Sequence, residues 1–322
     1  MNPYLGHELQ MSGVEEYRMC GGKGDGMRLF RVRNGKGLEL DLLPDRCGDI
    51  GRLTFCGINA GWLSPCGFVA PAYYDCVKDG WLKSFTAGFL TTCGLQAVGQ
   101  PCTDGGEELP LHGSIANLPA EQAWWECGER ALIVKTLVKD EVIFGRKLCL
   151  SREICVSTEE NRFWIRDEIE NTGDRREPLE ILYHMNLGYP LLDETSVLQI
   201  PSKRVIPRDD WAANQPDGWK RLEKPQPGYR ERCYYHDFGG ERGQASLFHP
   251  GLKIGLEISF DSRELDCFVE WKMMGVRDYV LGLECGNCYP DGRDVMREKG
   301  ILKWIDPGQK ISHKIRVSLR NL

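Results

Sequence analysis

The sequence predicts an all-β protein, a large antiparallel sandwich, from three observations. Short apolar segments recur along the 322 residues, and in several of them apolar and polar side chains alternate. Clusters of Gly, Pro, Asn and Asp separate these segments. No helical periodicity extends over more than two turns. Many short strands at regular spacing, with little helix between them, are typical of antiparallel sandwiches.

The strand pattern is clearest in three segments. Residues 131–138 are rich in β-branched side chains, whereas residues 163–170 and 311–319 alternate apolar with polar or charged side chains. A period of two places one side of a strand in the core and the other in solvent. Seven further segments are weaker strand candidates: 38–43, 142–149, 152–157, 179–185, 253–260, 266–271 and 278–284.

Turn-forming residues delimit the strands. Gly, Pro, Asn or Asp occur together in four places, at 34–37, 171–174, 249–251 and 306–309, which predicts turns there. No shift in composition marks a domain boundary, so we expect a single domain over residues 1–322. The stretch 209–229 has the character of a long excursion over one face of the sheet, and both a functional loop and a surface insertion fit it.

The composition excludes several classes of partner. Hydrophobic residues at 41% and charged residues at 27% describe an ordinary globular protein. The formal net charge of −6 argues against nucleic acid, which calls for a basic face. No segment approaches roughly eighteen uninterrupted apolar residues, and residues 1–8 lack the basic head and apolar stretch of a secretory signal. We expect a cytoplasmic protein with neither a nucleic-acid nor a membrane partner.

The cysteines suit that compartment. Fourteen of them are spread along the chain, and in a reducing environment we expect most to be buried thiols. The one close pair, Cys285 and Cys288, has the spacing of a redox or zinc motif. No second pair and no histidines at ligand spacing accompany it. We therefore expect two packed thiols at this position.

Two histidine clusters and one acidic cluster are the strongest functional signals. His112, His184 and Glu284 each lie among Gly, Asn or Pro residues at the end of an apolar run, in the segments 111–120, 183–190 and 283–287. We expect all three side chains on turns, where groups that meet a ligand are often presented. Two imidazoles and a carboxylate suffice to move protons on a neutral substrate near pH 7. Their convergence on one cleft is the central expectation.

The order and spacing of these clusters resemble the aldose 1-epimerase (galactose mutarotase-like) superfamily, and more closely a divergent branch of it. Two departures are visible. Cys285 stands where the branch usually has proline, and the His184 cluster lacks the Asn-His-x-x-Phe-Asn pattern of galactose mutarotases. The matching segments run from about residue 40 to about residue 290 and are 43–50, 62–65, 91–95, the two histidine clusters and 270–284.

The resemblance implies a many-stranded β-supersandwich and an isomerase that interconverts sugar anomers without a metal ion or organic cofactor. By resemblance, His184 is the acid at the ring oxygen and Glu284 the base at the anomeric hydroxyl. His112 would position the substrate and polarise the ring oxygen. The apolar neighbours of Glu284 predict a raised pKa for its carboxyl, if they flank a pocket.

Seven further residues are candidates for binding the carbohydrate substrate: Arg46, Asp49, Trp62, Asp237, Trp271, Lys272 and Asn287. A guanidinium can donate two hydrogen bonds to sugar hydroxyls, and an indole face can stack on the C–H side of a sugar ring. Lys272 could contact a phosphate or sulfonate. Structural roles stay open for these residues: a surface ion pair, a core tryptophan or a solvated lysine.

Three classes of function fit this sequence. The first is an epimerase acting at the anomeric carbon. The second is another sugar isomerase, epimerase or lyase on the same scaffold, and a metal-assisted form would recruit His112, His184 and Glu284 as ligands. The third is a sugar-binding module without activity, which predicts stacking aromatics but no matched acid and base.

Overall fold

The computed structural model describes residues 3–240 and 242–321, and within them the backbone is 49% strand and 10% helix. This confirms the predicted all-β class. The described strands, in chain order, are β1 (Gly13–Arg18), β2 (Arg28–Arg33), β3 (Leu38–Leu43), β4 (Asp49–Phe55), β5 (Ile58–Asn59), β6 (Trp62–Leu63), β7 (Ala87–Gly88), β8 (Leu90–Leu95), β9 (Cys102–Asp104), β10 (Glu107–Leu109), β11 (Gln122–Cys127), β12 (Ala131–Glu141), β13 (Lys147–Ser157), β14 (Arg162–Asn171), β15 (Glu177–Pro178), β16 (Glu180–Leu187), β17 (Val197–Gln199), β18 (Arg204–Pro207), β19 (Arg232–Asp237), β20 (Arg242–His249), β21 (Ile254–Asp261), β22 (Cys267–Met274), β23 (Tyr279–Gly286), β24 (Trp304–Ile305) and β25 (Lys310–Asn321).

Helices are short. The α-helices of the described residues are α1 (Asp210–Ala213) and α2 (Arg293–Glu298). None of the helices in these ranges is long and apolar enough to cross a membrane. The 3-10 helices of the described residues are Glu8–Gln10, Gly22–Gly24, Pro71–Tyr73, Lys78–Lys83, Ile115–Asn117 and Gly218–Lys220, each of one or two turns.

Three large antiparallel sheets carry the fold. The eight-stranded sheet has the order β11-β12-β13-β14-β25-β21-β20-β17, and the six-stranded sheet has the order β18-β19-β22-β23-β16-β8. The third sheet, β1 to β5, follows chain order. Three further pairs, β6 with β7, β9 with β10 and β15 with β24, complete the strand pairing of the described residues.

The core lies between the sheets, as the alternating pattern predicts. In β14 the side chains of Phe163, Ile165 and Ile169 are buried, and they alternate with charged or half-exposed residues. The ring of Phe163 contacts that of Phe89 at 6.1 Å between centroids. One hydrophobic cluster contains side chains from all three large sheets. That continuity supports our proposal that the chain is one domain.

The predicted strand at residues 142–149 begins too early. Residues 142–146 form the turn of the β12–β13 hairpin, in which the Gly145 N–H donates to the Val142 carbonyl at 2.9 Å. Phe144 sits at the tip with a left-handed φ of 59°. β13 then runs without a break through the segments that the sequence divides into two. The chain reverses direction at the tip of the hairpin. Because the residues of the tip are apolar, the hydrophobicity pattern of the sequence does not reveal this turn.

The excursion over residues 209–229 packs on the face of the six-stranded sheet where Lys272 lies. The Lys272 ammonium is fully buried and donates to the Gly218 carbonyl at 2.7 Å, to the Arg221 carbonyl and to Glu223. The Tyr234 hydroxyl donates to the Gln215 carbonyl at 2.9 Å. These contacts favour a structural role for the excursion, because its backbone carbonyls accept hydrogen bonds from a buried charge.

All fourteen cysteines are free thiols, and seven of them are buried. Three more are partly buried and four are exposed. Half of the thiols are therefore buried, whereas the sequence predicted that most of them would be. Cys285 belongs to the core between the sheets, whereas Cys288 belongs to a second hydrophobic cluster. Burial raises the pKa of both thiols, so packing rather than reactivity describes this pair.

Glu180 predicts a measurable pH dependence of stability. It is buried in β16, and desolvation raises its pKa from 4.5 to about 7, although the Val98 N–H donates to its Oε2 at 2.8 Å. The contribution of the protonated carboxyl to folding is complete below pH 4.5 and is lost as the pH rises to about 7. The shift corresponds to roughly 3 kcal/mol. Glu180→Gln, which never ionises, should gain stability relative to the native protein between pH 5 and pH 8.

Urea unfolding at the two pH values measures this difference. Glu129→Gln, at an exposed position, serves as the matched control and should show the same difference from the native protein at both. A constant difference for Glu180→Gln would contradict the raised pKa.

Candidate functional site

A cavity of about 840 Å³ opens on the face of the six-stranded sheet that points away from the sandwich core. Its volume lies in the usual range for a small-molecule site. Side chains of β16, β19, β22 and β23 form its floor, and loops form its walls. The lining residues are Trp62, Ser64, Pro65, Cys66, Asp79, Trp81, Leu82, Phe85, Gly99, Gln100, Leu111, His112, His184, Arg208, Glu231, Cys233, Val269, Trp271, Met273, Asp278, Glu284 and Pro290.

His184 and Glu284 face each other on the floor. They are register partners on the antiparallel strands β16 and β23, so their side chains emerge on the same face. The Nε2 of His184 lies 3.3 Å from the Oε1 of Glu284, and both residues are buried. The turn placement predicted for them is wrong, because both lie within strands. The Gly, Asn and Pro residues that suggested turns mark the ends of those strands, a few residues further along.

Gly282 makes room for the Glu284 carboxylate. It precedes Glu284 by two residues on β23, so a side chain at 282 would project on the same face. A Cβ at this position would lie 2.4 Å from Glu284 Oε1 and 3.1 Å from the Cβ of Trp271. The absence of a side chain therefore lets the carboxylate fold back over the strand between His184 and Trp271.

His112 approaches the pair from a loop, as predicted. Its backbone has a left-handed φ of 57°, a conformation that residues with side chains adopt mainly where the surroundings enforce it. The backbone N–H of His112 donates to the Gly99 carbonyl at 2.9 Å, and the Gly99 N–H points to the imidazole Nδ1 at 3.4 Å. Nδ1 is thus an acceptor, and Nε2 carries the proton.

The segment that holds His112 is itself held by β16. Glu180, on the same face of that strand as His184, accepts the Val98 N–H at 2.8 Å. Val98 immediately precedes Gly99, whose backbone bonds to His112. One strand therefore carries His184 directly and positions His112 through the neighbouring loop.

Aromatic rings surround the two imidazoles. Trp81 lies 4.7 Å from the His112 ring and stacks on Phe85 at 4.3 Å between centroids. Phe85 and Trp271 each present an edge contact to His184, at 5.5 and 5.2 Å. The rings exclude water from the polar pair and leave flat apolar surface beside it.

This environment shifts the pKa values of Glu284, His184 and His112 in the directions that favour the uncharged form of each side chain. Desolvation raises the pKa of Glu284 well above 4.5, and the charge of Glu231 adds to the effect while Arg208 opposes it. Desolvation lowers the pKa of His184 well below 6.5 and that of His112 to about 4. Burial therefore favours the protonated carboxyl of Glu284 and the neutral imidazoles of His112 and His184. The raised pKa predicted for Glu284 is confirmed in direction.

Of the seven predicted binding residues, Trp62 and Trp271 line the cavity. Lys272 does not, because it follows Trp271 on β22 and so points to the opposite face. Asp237 ends β19 at the surface, where it accepts the Gly239 N–H at 2.7 Å. Asn287 is structural: its amide accepts the Ile181 N–H at 2.8 Å and donates to the Leu179 carbonyl at 3.0 Å.

Arg46 and Asp49 are also outside the cavity lining, and they are not a surface pair. Arg46 is buried and donates to the Val69 carbonyl at 2.8 Å, and burial lowers its pKa to about 10. Asp49 accepts hydrogen bonds from Thr92 and from Arg152. Both charges are used to join the five-stranded sheet and the loop after β6 to the rest of the molecule.

Among the cavity residues that escaped prediction are Trp81, Phe85, Arg208 and Glu231. Trp81 lies in the 3-10 helix Lys78–Lys83 and Phe85 follows that helix, whereas Arg208 and Glu231 flank the 209–229 excursion. The Arg208 Nη2 donates to Glu231 Oε1 at 2.9 Å, and the Trp271 indole N–H donates to Glu231 Oε2 at 2.7 Å. The position of opposite charges at the two ends of an excursion was the available signal. Within residues 3–240 and 242–321, no group of three His, Cys, Asp or Glu is arranged to hold a metal ion.

Known proteins resemble this chain in sequence and in fold. The family model described as a domain of unknown function, DUF4432, matches residues 24–319. No protein of curated function matches the chain. The crystal structure of a "putative aldose 1-epimerase" from Klebsiella pneumoniae is 25% identical, with a TM-score of 0.89 over 95% of this chain and 83% of that one.

Two further structures show the fold alone. A galactose mutarotase-like protein from Clostridium acetobutylicum is 13% identical, with a TM-score of 0.68 over 97% of this chain and 100% of that one. A galactose 1-epimerase from Lactobacillus acidophilus is 14% identical, with a TM-score of 0.63 over 96% and 99%. The predicted resemblance to the galactose mutarotase-like superfamily is confirmed.

Gly282→Ala tests the geometry of the floor. The added methyl group must displace the Glu284 carboxylate or Trp271, while a strand tolerates alanine at least as well as glycine. We expect intact folding by circular dichroism and a loss of roughly tenfold to a hundredfold in kcat/KM for the reaction proposed below. Gly128→Ala, in an exposed turn, is the matched control. Equal activity of the two variants would show that the position of the Glu284 carboxylate is unimportant.

Proposed function

The chain belongs to the DUF4432 family, and we propose that it is a carbohydrate epimerase that interconverts sugar anomers by acid–base catalysis in this cavity. The observation that carries the proposal is the 3.3 Å approach of His184 Nε2 to Glu284 Oε1 on the cavity floor. The fold shared with the "putative aldose 1-epimerase" from Klebsiella pneumoniae supports it. The substrate class is a small carbohydrate.

The geometry suits chemistry at a single carbon atom. Opening a pyranose removes a proton from the anomeric hydroxyl and delivers one to the ring oxygen, and both oxygens are bonded to the anomeric carbon. An acid and a base that serve them must therefore be near neighbours. His184 and Glu284 meet that requirement because they are opposite each other on adjacent strands.

One proton is enough for the pair. Burial favours a protonated Glu284 and a neutral His184, a state in which the two groups together hold a single proton. The assignment from family resemblance, with His184 as acid and Glu284 as base, requires that proton to pass to the imidazole first. In either direction, ring opening moves a proton from one group to the substrate and another from the substrate to the second group. Reclosure after rotation about one bond restores the starting state on the other anomer.

His112 and the aromatic walls would hold the ring. The Nε2–H of His112 is free to donate to the ring oxygen, because Nδ1 is engaged by the Gly99 N–H. Trp271 and Trp62 offer flat faces for the C–H side of a sugar. Donation by a neutral imidazole polarises the oxygen without placing a charge in a dry site.

The other candidate functions are weaker. A sugar-binding module would explain the aromatic walls, but it assigns no role to the acid and base pair of His184 and Glu284 that lies on the cavity floor. Another isomerase or lyase on this scaffold would use the same pair on neighbouring carbon atoms. The compartment stays a prediction, and the fourteen free thiols suit a reducing one such as the cytoplasm.

Glu284→Gln should abolish anomer exchange while sugar binding persists. The amide keeps the shape of the side chain but can neither give nor take the proton, so we expect a loss of roughly two to four decades in kcat. One-dimensional exchange NMR over a panel of aldoses measures anomer exchange, and it also reveals any ketose or unsaturated product. The matched control is Glu270→Gln, a buried glutamate on the neighbouring strand β22 that points to the opposite face. Retained exchange in Glu284→Gln would assign the base elsewhere.

The pH profile should be flat where an ordinary histidine titrates. Activity requires the state of the pair that holds one proton, which is lost in acid when His184 gains a proton and in alkali when Glu284 loses one. The pKa of His184 is depressed and that of Glu284 is raised, so both limits move away from neutrality. We expect kcat/KM to show no titration at the ordinary pKa of histidine, about 6.5, after subtraction of spontaneous exchange. A limb with an apparent pKa near 6.5 would contradict the desolvation of these groups.

A further inference from the structure

A charged pair forms one wall of the cavity beside Trp271. Arg208 Nη2 donates to one oxygen of Glu231 at 2.9 Å, and the Trp271 indole N–H donates to the other at 2.7 Å. Both carboxylate oxygens of Glu231 are therefore engaged. The carboxylate cannot leave Arg208 without also releasing the indole that borders His184.

Two carboxylates lie beside Arg208. Besides Glu231, the Oδ2 of Asp209 lies 4.0 Å from its Nη2, and that oxygen also lies 3.9 Å from the Nη2 of Arg230. The backbone N–H of Arg208 donates to the Cys233 carbonyl at 3.0 Å, which fixes the start of the side chain to β19. Opposite charges at such separations cancel much of each other's field. The guanidinium thus presents little net positive potential to the cavity.

The remaining charges of the lining are negative. Arg208 is the only Lys or Arg among the described lining residues, whereas Asp79, Glu231 and Asp278 contribute carboxylates. Burial raises the pKa of the Glu284 carboxyl and so favours its uncharged form. A phosphate or carboxylate group that enters would therefore meet an excess of negative charge and no cation that lacks a partner. A neutral polyol meets only hydrogen-bonding groups and aromatic faces.

We propose that Glu231 determines the specificity of the site by masking Arg208 and holding Trp271, so that the cavity takes uncharged sugars and rejects sugar phosphates and sugar acids. The inference rests on the proposed function in one respect, that the ligand is a sugar. It reverses the sequence-based expectation that Lys272 receives an anionic substituent, since that ammonium is buried on the other face of the sheet. Its mechanism is exclusion by unpaired negative charge, which is one way to obtain specificity.

The test compares a neutral ligand with its anionic counterpart. 1,5-Anhydroglucitol and its 6-phosphate keep the sugar ring but lack the anomeric hydroxyl, so neither can open, and the 1,5-anhydrogalactitol pair covers the other common ring configuration. Binding is followed by tryptophan fluorescence, because Trp62, Trp81 and Trp271 line the cavity, and by calorimetry. We expect the native protein to bind a neutral ligand at least about tenfold more tightly than its phosphate.

Glu231→Gln should invert or abolish that preference. The variant frees the guanidinium, which pairs well with phosphate, so the affinity for the 6-phosphate should rise about tenfold or more. The affinity for the neutral ligand should fall a few-fold, because the amide cannot accept from both Arg208 and Trp271. The Glu231 side chain is 42% exposed, so the fold should tolerate the change.

Two variants separate masking from a general change of charge. Asp278→Asn removes one carboxylate from the same lining without freeing Arg208, and it should move the ratio of affinities much less. The double variant with Arg208→Gln and Glu231→Gln lacks the freed cation, so it should lose the gain in phosphate affinity that Glu231→Gln alone produces. The effects of the two substitutions are then non-additive.

Several outcomes would overturn the proposal. The first is equal or tighter binding of the phosphate by the native protein. The second is an unchanged ratio of the affinities for the neutral ligand and the phosphate in Glu231→Gln. The third is that the native protein binds neither the neutral ligand nor the phosphate of either pair. The proposed function fails by a different result, the absence of anomer exchange on every aldose tested. Because the anhydro sugars cannot react, a preference for the neutral ligand would persist in that case.

Discussion

The buried guanidinium of Arg152 is the interaction on which the rest of the molecule depends. It donates five hydrogen bonds: to both oxygens of Asp167, to Asp49, to the Cys47 carbonyl and to the Thr92 hydroxyl. These partners lie in or beside all three large sheets. Removing one member of such a network leaves a buried charge without compensation, which typically costs about 3–5 kcal/mol. The network therefore constrains how the sheets meet.

That constraint reaches the cavity through one strand. The Tyr183 hydroxyl donates to Asp167 at 2.8 Å, and Tyr183 is the register partner of Thr92. Both residues thus anchor β16 and β8 to the network from the core side. His184 follows Tyr183 and emerges on the other face, where it meets Glu284. The polar network therefore lies behind the sheet and the pair of His184 and Glu284 in front of it, and the same pairing of strands positions both.

Alternation along a strand divides the residues between those faces. In β22, Trp271 reaches the cavity while its neighbours Glu270 and Lys272 point behind it, where His236 Nε2 lies 3.2 Å from Glu270 Oε2. The place of Trp271 in the cavity lining and the structural role of Lys272 follow from that single fact. The pattern could have been read from the sequence once β22 was assigned. It was missed because adjacent residues of a motif were treated as one functional group.

The sequence by itself determined the all-β class, most of the strands, and the three polar residues at the centre of the proposed site. Hydrophobic alternation and turn residues are local signals, and a histidine or glutamate at the edge of an apolar run is conspicuous in any fold. Only the tertiary structure decided that His184 and Glu284 are register partners, because the pairing of β16 with β23 joins segments about a hundred residues apart. It also decided that Arg46 and Asp49 are structural and that Arg208 and Glu231 border the cavity. The destination of such charges depends on which strands and loops become neighbours, and local periodicity carries no information about that.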